Sequence, residues 1–174
     1  MQRVMVMGCS GSGKSTFATR LAAKLGLPYV SLDALFWQPG WVEPDKAEFT
    51  AKVVAEAESP SWVIDGSYKS HAGDLRRTRA DTVFWFDLPR RTCLAGALRR
   101  IATTYGQVRP EMAPGCPEQL DFGFLRWIWD YRAKRRAGDL AFLGHLRPDQ
   151  RLVTFTTRRQ ADGYLAGLGA AGAR

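Results

Sequence analysis

"MVMGCSGSGKST", Met5 to Thr16, decides the fold. A short apolar run enters a turn with glycines at 8, 11 and 13, and the turn opens a helix carrying Lys14, Ser15 and Thr16. Gly8 to Ser15 satisfies GxxxxGK[ST] at each fixed position. Glycines let backbone amides turn inward around an anion, and the helix N-terminus adds partial positive charge. Lys14 then reaches outer phosphates, and the Ser15 hydroxyl can ligate magnesium. A buried strand before the turn and an amphipathic helix after it make this a phosphate cradle rather than a plain Gly/Ser turn. Its expected ligands are Gly8, Ser10, Gly11, Ser12, Gly13, Lys14, Ser15 and Thr16. The motif is silent on whether the phosphate is passed on, lost to water or used as a signal.

Outward from the cradle, strands and helices alternate. Phe17, Leu21, Ala22 and Leu25 recur at helical spacing until Gly26 and Pro28 stop the helix. Leu27–Leu32 reads as a second strand with Asp33 just beyond it, and "FWQPGW" (36–41) is a Pro/Gly loop. Asp45 opens a helix to about Glu58, "WVID" (62–65) is a third strand, and Asp74–Thr78 a short helical turn. "TVFWFDL" (82–88) is a fourth strand, followed by a helix from Arg90 to about Thr104 and an irregular stretch over 106–123. A helix over 124–143, a strand over 151–157 and a helix over 160–168 complete the pattern, with a frayed tail "GLGAAGAR". Five apolar strands alternating with helices predict an α/β, three-layer P-loop NTPase fold: one domain over 1–174, with a five-stranded parallel sheet covered on both faces. An arginine-rich lid is expected over about 105–137. Ligands in such sheets gather beyond the carboxyl ends of the strands, where Gly8–Thr16, Asp33, Asp65 and Asp87 fall.

The carboxylates carry two readings each. Asp65 ends an apolar strand, where it can organise magnesium with Ser15, or it opens the "DGSY" turn. Asp33 can orient or deprotonate an attacking hydroxyl, or cap a helix over "ALFW". Phe36, Trp37, Trp41 and Tyr68 can wall an acceptor pocket, or the tryptophans can pin their loop to the core. Arg132 and Arg136 lie on one helix side, where lid arginines can neutralise charge during phosphoryl transfer or form a solvated face.

The net charge is +8, and its excess is concentrated: Pro89–Ala137 holds ten arginines and lysines against four carboxylates. That suits a lid over a polyphosphate, or a nucleic-acid surface over 89–137. No apolar run reaches the ~20 residues of a membrane span, and no secretory leader is expected, so cytoplasm is the default location. Three cysteines, 9, 93 and 116, at wide spacings argue against a disulfide framework.

The cradle together with "LDALFWQPGW", "VIDGSY", "FDLP", "GCPEQLDFGFLRWIW" and the final "TTRR" resembles the FlaR-type DNA-topology-modulation proteins, a branch of adenylate-kinase-like P-loop proteins. The resemblance implies ATP with Mg2+, an acceptor region near Asp33, Arg100 at the start of the lid, and Arg158 in the loop bordering the adenine. Two positions depart from adenylate kinases. Gly96 stands where they carry an arginine over the adenine, and "DGSYKS" replaces their DGFPR-like acceptor signature, so AMP is not the expected acceptor.

The residues together predict a kinase for a small molecule, nucleoside or nucleotide, with Lys14, Asp33, Arg100, Arg132 and Arg136 in catalytic roles and Ser15 and Asp65 on the metal. The alternatives are an ATP-dependent DNA-associated regulator and a bare ATPase.

Overall fold

Val4–Met7 is fully buried in β1 (Arg3–Gly8), the central strand of the computed structural model, which describes residues 1–170. The sheet has five parallel strands in the order β2 (Tyr29–Ser31), β3 (Trp62–Asp65), β1, β4 (Thr82–Phe86), β5 (Arg151–Phe155). Alternate side chains of β1 enter opposite cores, because successive strand residues face opposite ways. Val4 and Val6 pack with Phe17 and Leu21 of α1 (Lys14–Leu25), Cys93 and Ala97 of α5 (Arg90–Thr104) and Leu165 of α7 (Arg158–Ala170). Met5 and Met7 pack with Phe49, Val53 and Ala57 of α3 (Lys46–Glu58). These two cores give the three expected layers.

Three elements differ from the sequence expectation. The second strand is shorter than Leu27–Leu32, since the Ser31 hydroxyl accepts from the Ala34 amide and caps a five-residue helix, α2 (Leu32–Phe36). Asp33 therefore lies in the first turn of a helix capped by another residue. The helical turn near 74–78 is α4 (Gly73–Arg79). The third difference is the lid.

The expected lid over 105–137 divides in two. Residues 105–121 are irregular, whereas Phe122–Leu143 is one helix, α6, capped by Asp121. Ile128 and Tyr131 are buried in the core beside α1, and Leu143 in the core beside α3, so α6 crosses from one layer to the other. Buried Asp139 accepts from the Tyr131 hydroxyl at 2.8 Å and pairs with Lys69 at 2.7 Å. These anchors tie the helical half of the expected lid to both cores.

The tail expected to fray begins at Gly167; 167–170 continue α7, and 171–174 lie outside the described residues. Among the described residues no helix is long and apolar enough to cross a membrane. Cys9, Cys93 and Cys116 are buried and free.

Candidate functional site

Between β1 and α1 the cradle turns through positive φ at Gly8 (144°), Gly11 (74°) and Gly13 (98°). Gly11 is also pressed against α5: a Cβ there would collide with the Cys93 carbonyl oxygen and stand 2.8 Å from the Ala97 nitrogen. From the other side, Arg158 donates to the carbonyls of Gly11 (2.7 Å), Ser12 (3.2 Å) and Thr92 (3.2 Å). Holding the Ser12 carbonyl outward turns the Gly13 amide of the same trans peptide into the loop. Arg158 thus braces the back of the cradle. Its guanidinium fills the space beside Gly96, where any side chain would collide with it and with the Gly11 carbonyl. That packing is the physical reason for glycine at position 96.

Lys14 is buried, yet among the described residues its ammonium finds only the Ser15 hydroxyl at 3.4 Å and Asp65 Oδ1 at 3.6 Å. Burial opposes its charge, but Asp65 and Asp33 outweigh that and hold its pKa above the ordinary value. Asp65 closes β3 and is likewise buried; burial pushes its pKa up despite the nearby Lys14. Its Oδ1 has no hydrogen-bond partner, nor has the buried Ser12 hydroxyl. Buried polar groups left this unsatisfied are rare. A polyanion on Lys14 and the loop amides, with a divalent cation on Ser15 and Asp65, fits these orphaned groups.

Asp33 acts electrostatically on both Lys14 and Asp65. One of its oxygens accepts from the Tyr68 hydroxyl at 2.8 Å. The Tyr68 ring packs against Phe36 and Phe49, with centroids 5.0 and 5.2 Å away. Its backbone is held by Arg76, which is fully buried and donates to the carbonyls of Gly66 (3.1 Å), Ser67 (3.0 Å) and Tyr68 (2.9 Å). Burial without a carboxylate pulls the Arg76 pKa down to about 10. Sequence reasoning missed this residue, whose place in "DLRRTR" looks like that of any solvated arginine.

Arg100 faces the same centre, for it and Arg109 are the cations that act on Lys14. Glu118, buried, lies 3.0 Å from the Nε of both, and Arg109 also pairs with Glu111 at 2.8 Å. Arg109 and Glu118 were not singled out from sequence, because nothing in an irregular Pro/Gly stretch fixes a side-chain direction. The same stretch docks on "FWQPGW": Gly40 donates to the Gly115 carbonyl at 2.8 Å, Trp41 Nε1 to Pro117 at 3.0 Å, and Cys116 Sγ to Gln38 at 3.1 Å. Met112, Ala113 and Cys116 pack on Trp37 and Trp41. The tryptophans therefore pin two loops together, and Phe36 packs at a tilt against Tyr68.

Arg132 and Arg136 are not brought to Lys14. Arg136 Nε bonds both oxygens of Asp87, at 3.0 and 2.9 Å, and Arg132 lies 3.8 Å from the same carboxylate. A depression of about 900 Å3 runs along α3 between Lys46 and His71 and touches no cradle residue.

No family model matches the chain. Nor does any curated protein match it. Solved structures do. A gluconokinase from Sinorhizobium meliloti 1021 is 20% identical, with 98% of this chain and 93% of that one covered and a TM-score of 0.53. A shikimate kinase from Bacteroides thetaiotaomicron is 16% identical over 98% and 97% of the two chains, with a TM-score of 0.56. A shikimate kinase from Acinetobacter baumannii, solved with shikimate, is 16% identical over 100% and 96%, with a TM-score of 0.54. These likenesses show that the chain shares its fold with those structures. The narrower resemblance drawn from "FWQPGW" and "GCPE" rests on those residues alone.

Proposed function

We propose that this chain is a phosphotransferase that uses Mg-ATP to phosphorylate a hydroxyl group of a small molecule. The observation that carries the reading is Asp33, held by Tyr68 and acting on the same charged centre as Lys14 and Asp65. A carboxylate with one oxygen taken by Tyr68 has its other oxygen for an acceptor hydroxyl, which a site built only for hydrolysis does not need. Its kinase fold agrees with this reading.

Lys14 and the loop amides hold the outer phosphates, and Arg158 keeps those amides aimed inward. Ser15 and Asp65 would hold Mg2+, which neutralises charge on the phosphates. Asp33 orients the acceptor hydroxyl and takes its proton as the new bond to phosphorus forms. Arg100 and Arg109 screen the charge that spreads over the transferred group. Positioning and electrostatics supply most of the acceleration in this chemistry.

The test is acceptor-dependent ADP formation across a metabolite panel, with Lys14→Ala and Asp33→Asn beside the wild type. Asp33→Asn should keep ATP affinity within about twofold and lose roughly 100-fold or more in transfer, the usual scale for a general base. Lys14→Ala should lose both. ATP turnover indifferent to every acceptor and to Asp33→Asn would sink the proposal.

A further inference from the structure

Arg132 and Arg136, drawn away from Lys14, form part of a different arrangement. Together with Pro89, Arg90, Arg91 and Ala133 they line an open depression of about 500 Å3 between the start of α5 and the middle of α6. That volume is in the range of small-ligand sites. Four guanidinium groups border it, and two of them, Arg132 and Arg136, engage Asp87. Arg136 is fixed by its two bonds to Asp87, and Arg90 lies flat on the Trp129 ring, its guanidinium carbon 4.2 Å from the centroid. Two of the four are thus set in place before any ligand arrives.

The charge balance is unusual. Arg90 and Arg91 stand in the first turn of α5, the positive end of a helix, where cations are unfavourable. That turn has no acidic residue, and no side chain caps it. Asp87 meets Arg132 and Arg136, and Asp130 acts on Arg90, so four arginines against two carboxylates leave the depression cationic. A bare solvated face has no reason to gather like charges around a helix start and a tryptophan.

We propose that this depression is a second anion site, for a small phosphate-bearing molecule, separate from the cradle. No cradle residue lines the depression: its walls are the start of α5 and the middle of α6, whereas the cradle meets α5 at Cys93 and Ala97. None of the four arginines is among the groups that act most strongly on Lys14. Planar guanidinium forks suit phosphate oxygens, and the compact outline suits a small molecule better than a polymer, which needs a continuous basic track.

The test is a titration of inorganic pyrophosphate into the full chain, followed residue by residue by NMR. Saturable shifts should appear at the Trp129 indole and the Ala133 amide, with a dissociation constant separate from that read at the Gly13 amide. Arg90→Ala with Arg91→Ala should weaken the Trp129–Ala133 response at least tenfold, two charge-assisted contacts being lost, and leave the Gly13 response unchanged. Arg126→Ala, an exposed arginine outside the depression, should leave both unchanged. The proposal fails if no saturable shift appears by about 10 mM pyrophosphate, a very weak affinity. It fails equally if Arg126→Ala weakens the response as much, for the effect is then diffuse charge. A single-stranded oligonucleotide that saturates the same signals at a tenfold lower phosphate concentration would overturn the small-molecule assignment in favour of nucleic acid.

Discussion

Glu118→Gln removes one negative charge and almost no volume. Glu118 lies 3.0 Å from the Nε of both Arg100 and Arg109, and its Oε1 accepts from Arg100 Nη2 at 3.1 Å. Oε2 sits off the N–H directions of the two Nε groups, so what it supplies is charge more than directed bonds. That charge matters because burial, and then Arg109, pull the Arg100 pKa down, and Glu118 is the carboxylate that meets both guanidiniums. Removing one partner of a buried pair costs about 3–5 kcal/mol. The arginine side chains keep 24% and 13% of their surface in water, which argues for the low end, about 3 kcal/mol. With a urea slope of about 2.5 kcal/mol/M for a chain this size, the unfolding midpoint should drop by roughly 1.2 M. Urea titration followed by tryptophan fluorescence measures it. Mg-ATP should stabilise the variant more than the wild type, because phosphate replaces the missing counter-charge. A midpoint drop below about 0.3 M would refute the claim that this carboxylate holds the two arginines together.

Arg158→Ala should leave the sheet intact but release the Gly11 and Ser12 carbonyls, raising the dissociation constant for ATP about tenfold by calorimetry, the scale of one or two charge-assisted bonds; unchanged affinity would show that the cradle needs no brace. Burial raises the Asp65 pKa, so protonation should disable it as a cation ligand at a higher pH than an ordinary carboxylate near ~3.9. Mg2+-dependent ATP binding should therefore weaken while the pH is still above the ordinary carboxylate value, and constant affinity down to about pH 4.5 would contradict the role given to Asp65. For the ligand-free fold the sign is opposite. A carboxyl whose pKa is raised on folding is favoured protonated, so its contribution to stability is lost as pH rises through the folded value.

The cradle, the sheet and both cores were legible because local signals carry them: an apolar strand, three glycines, a lysine and a helical period lie within 25 residues. Asp33 and Asp65 were legible as strand-end carboxylates, and a helix over "ALFW" was one reading of Asp33, but its cap was not legible, since Ser31 takes that place. What escaped depends on contacts far along the chain. The turn that carries Tyr68 is fixed by Arg76, the tryptophans of 36–41 are spent on residues 112–117, and Arg100 is neutralised by a glutamate eighteen positions on. The course of α6 was hidden too. Its apolar and charged residues are spread around the helix, because it touches one layer near its start and the other at its end.

The docking of "FWQPGW" on residues 112–117 joins positions 76 and 78 apart in the chain. Neither partner is a regular strand or long helix, so each gains its order chiefly from the other. Contacts of such long range form only after much of the intervening chain, β3, β4 and α5 included, is already organised. They are few beside those of the central sheet, and so should be last to form and first to part when the native state opens in pieces. These two docked loops are therefore the unit of the fold whose release leaves the cradle standing.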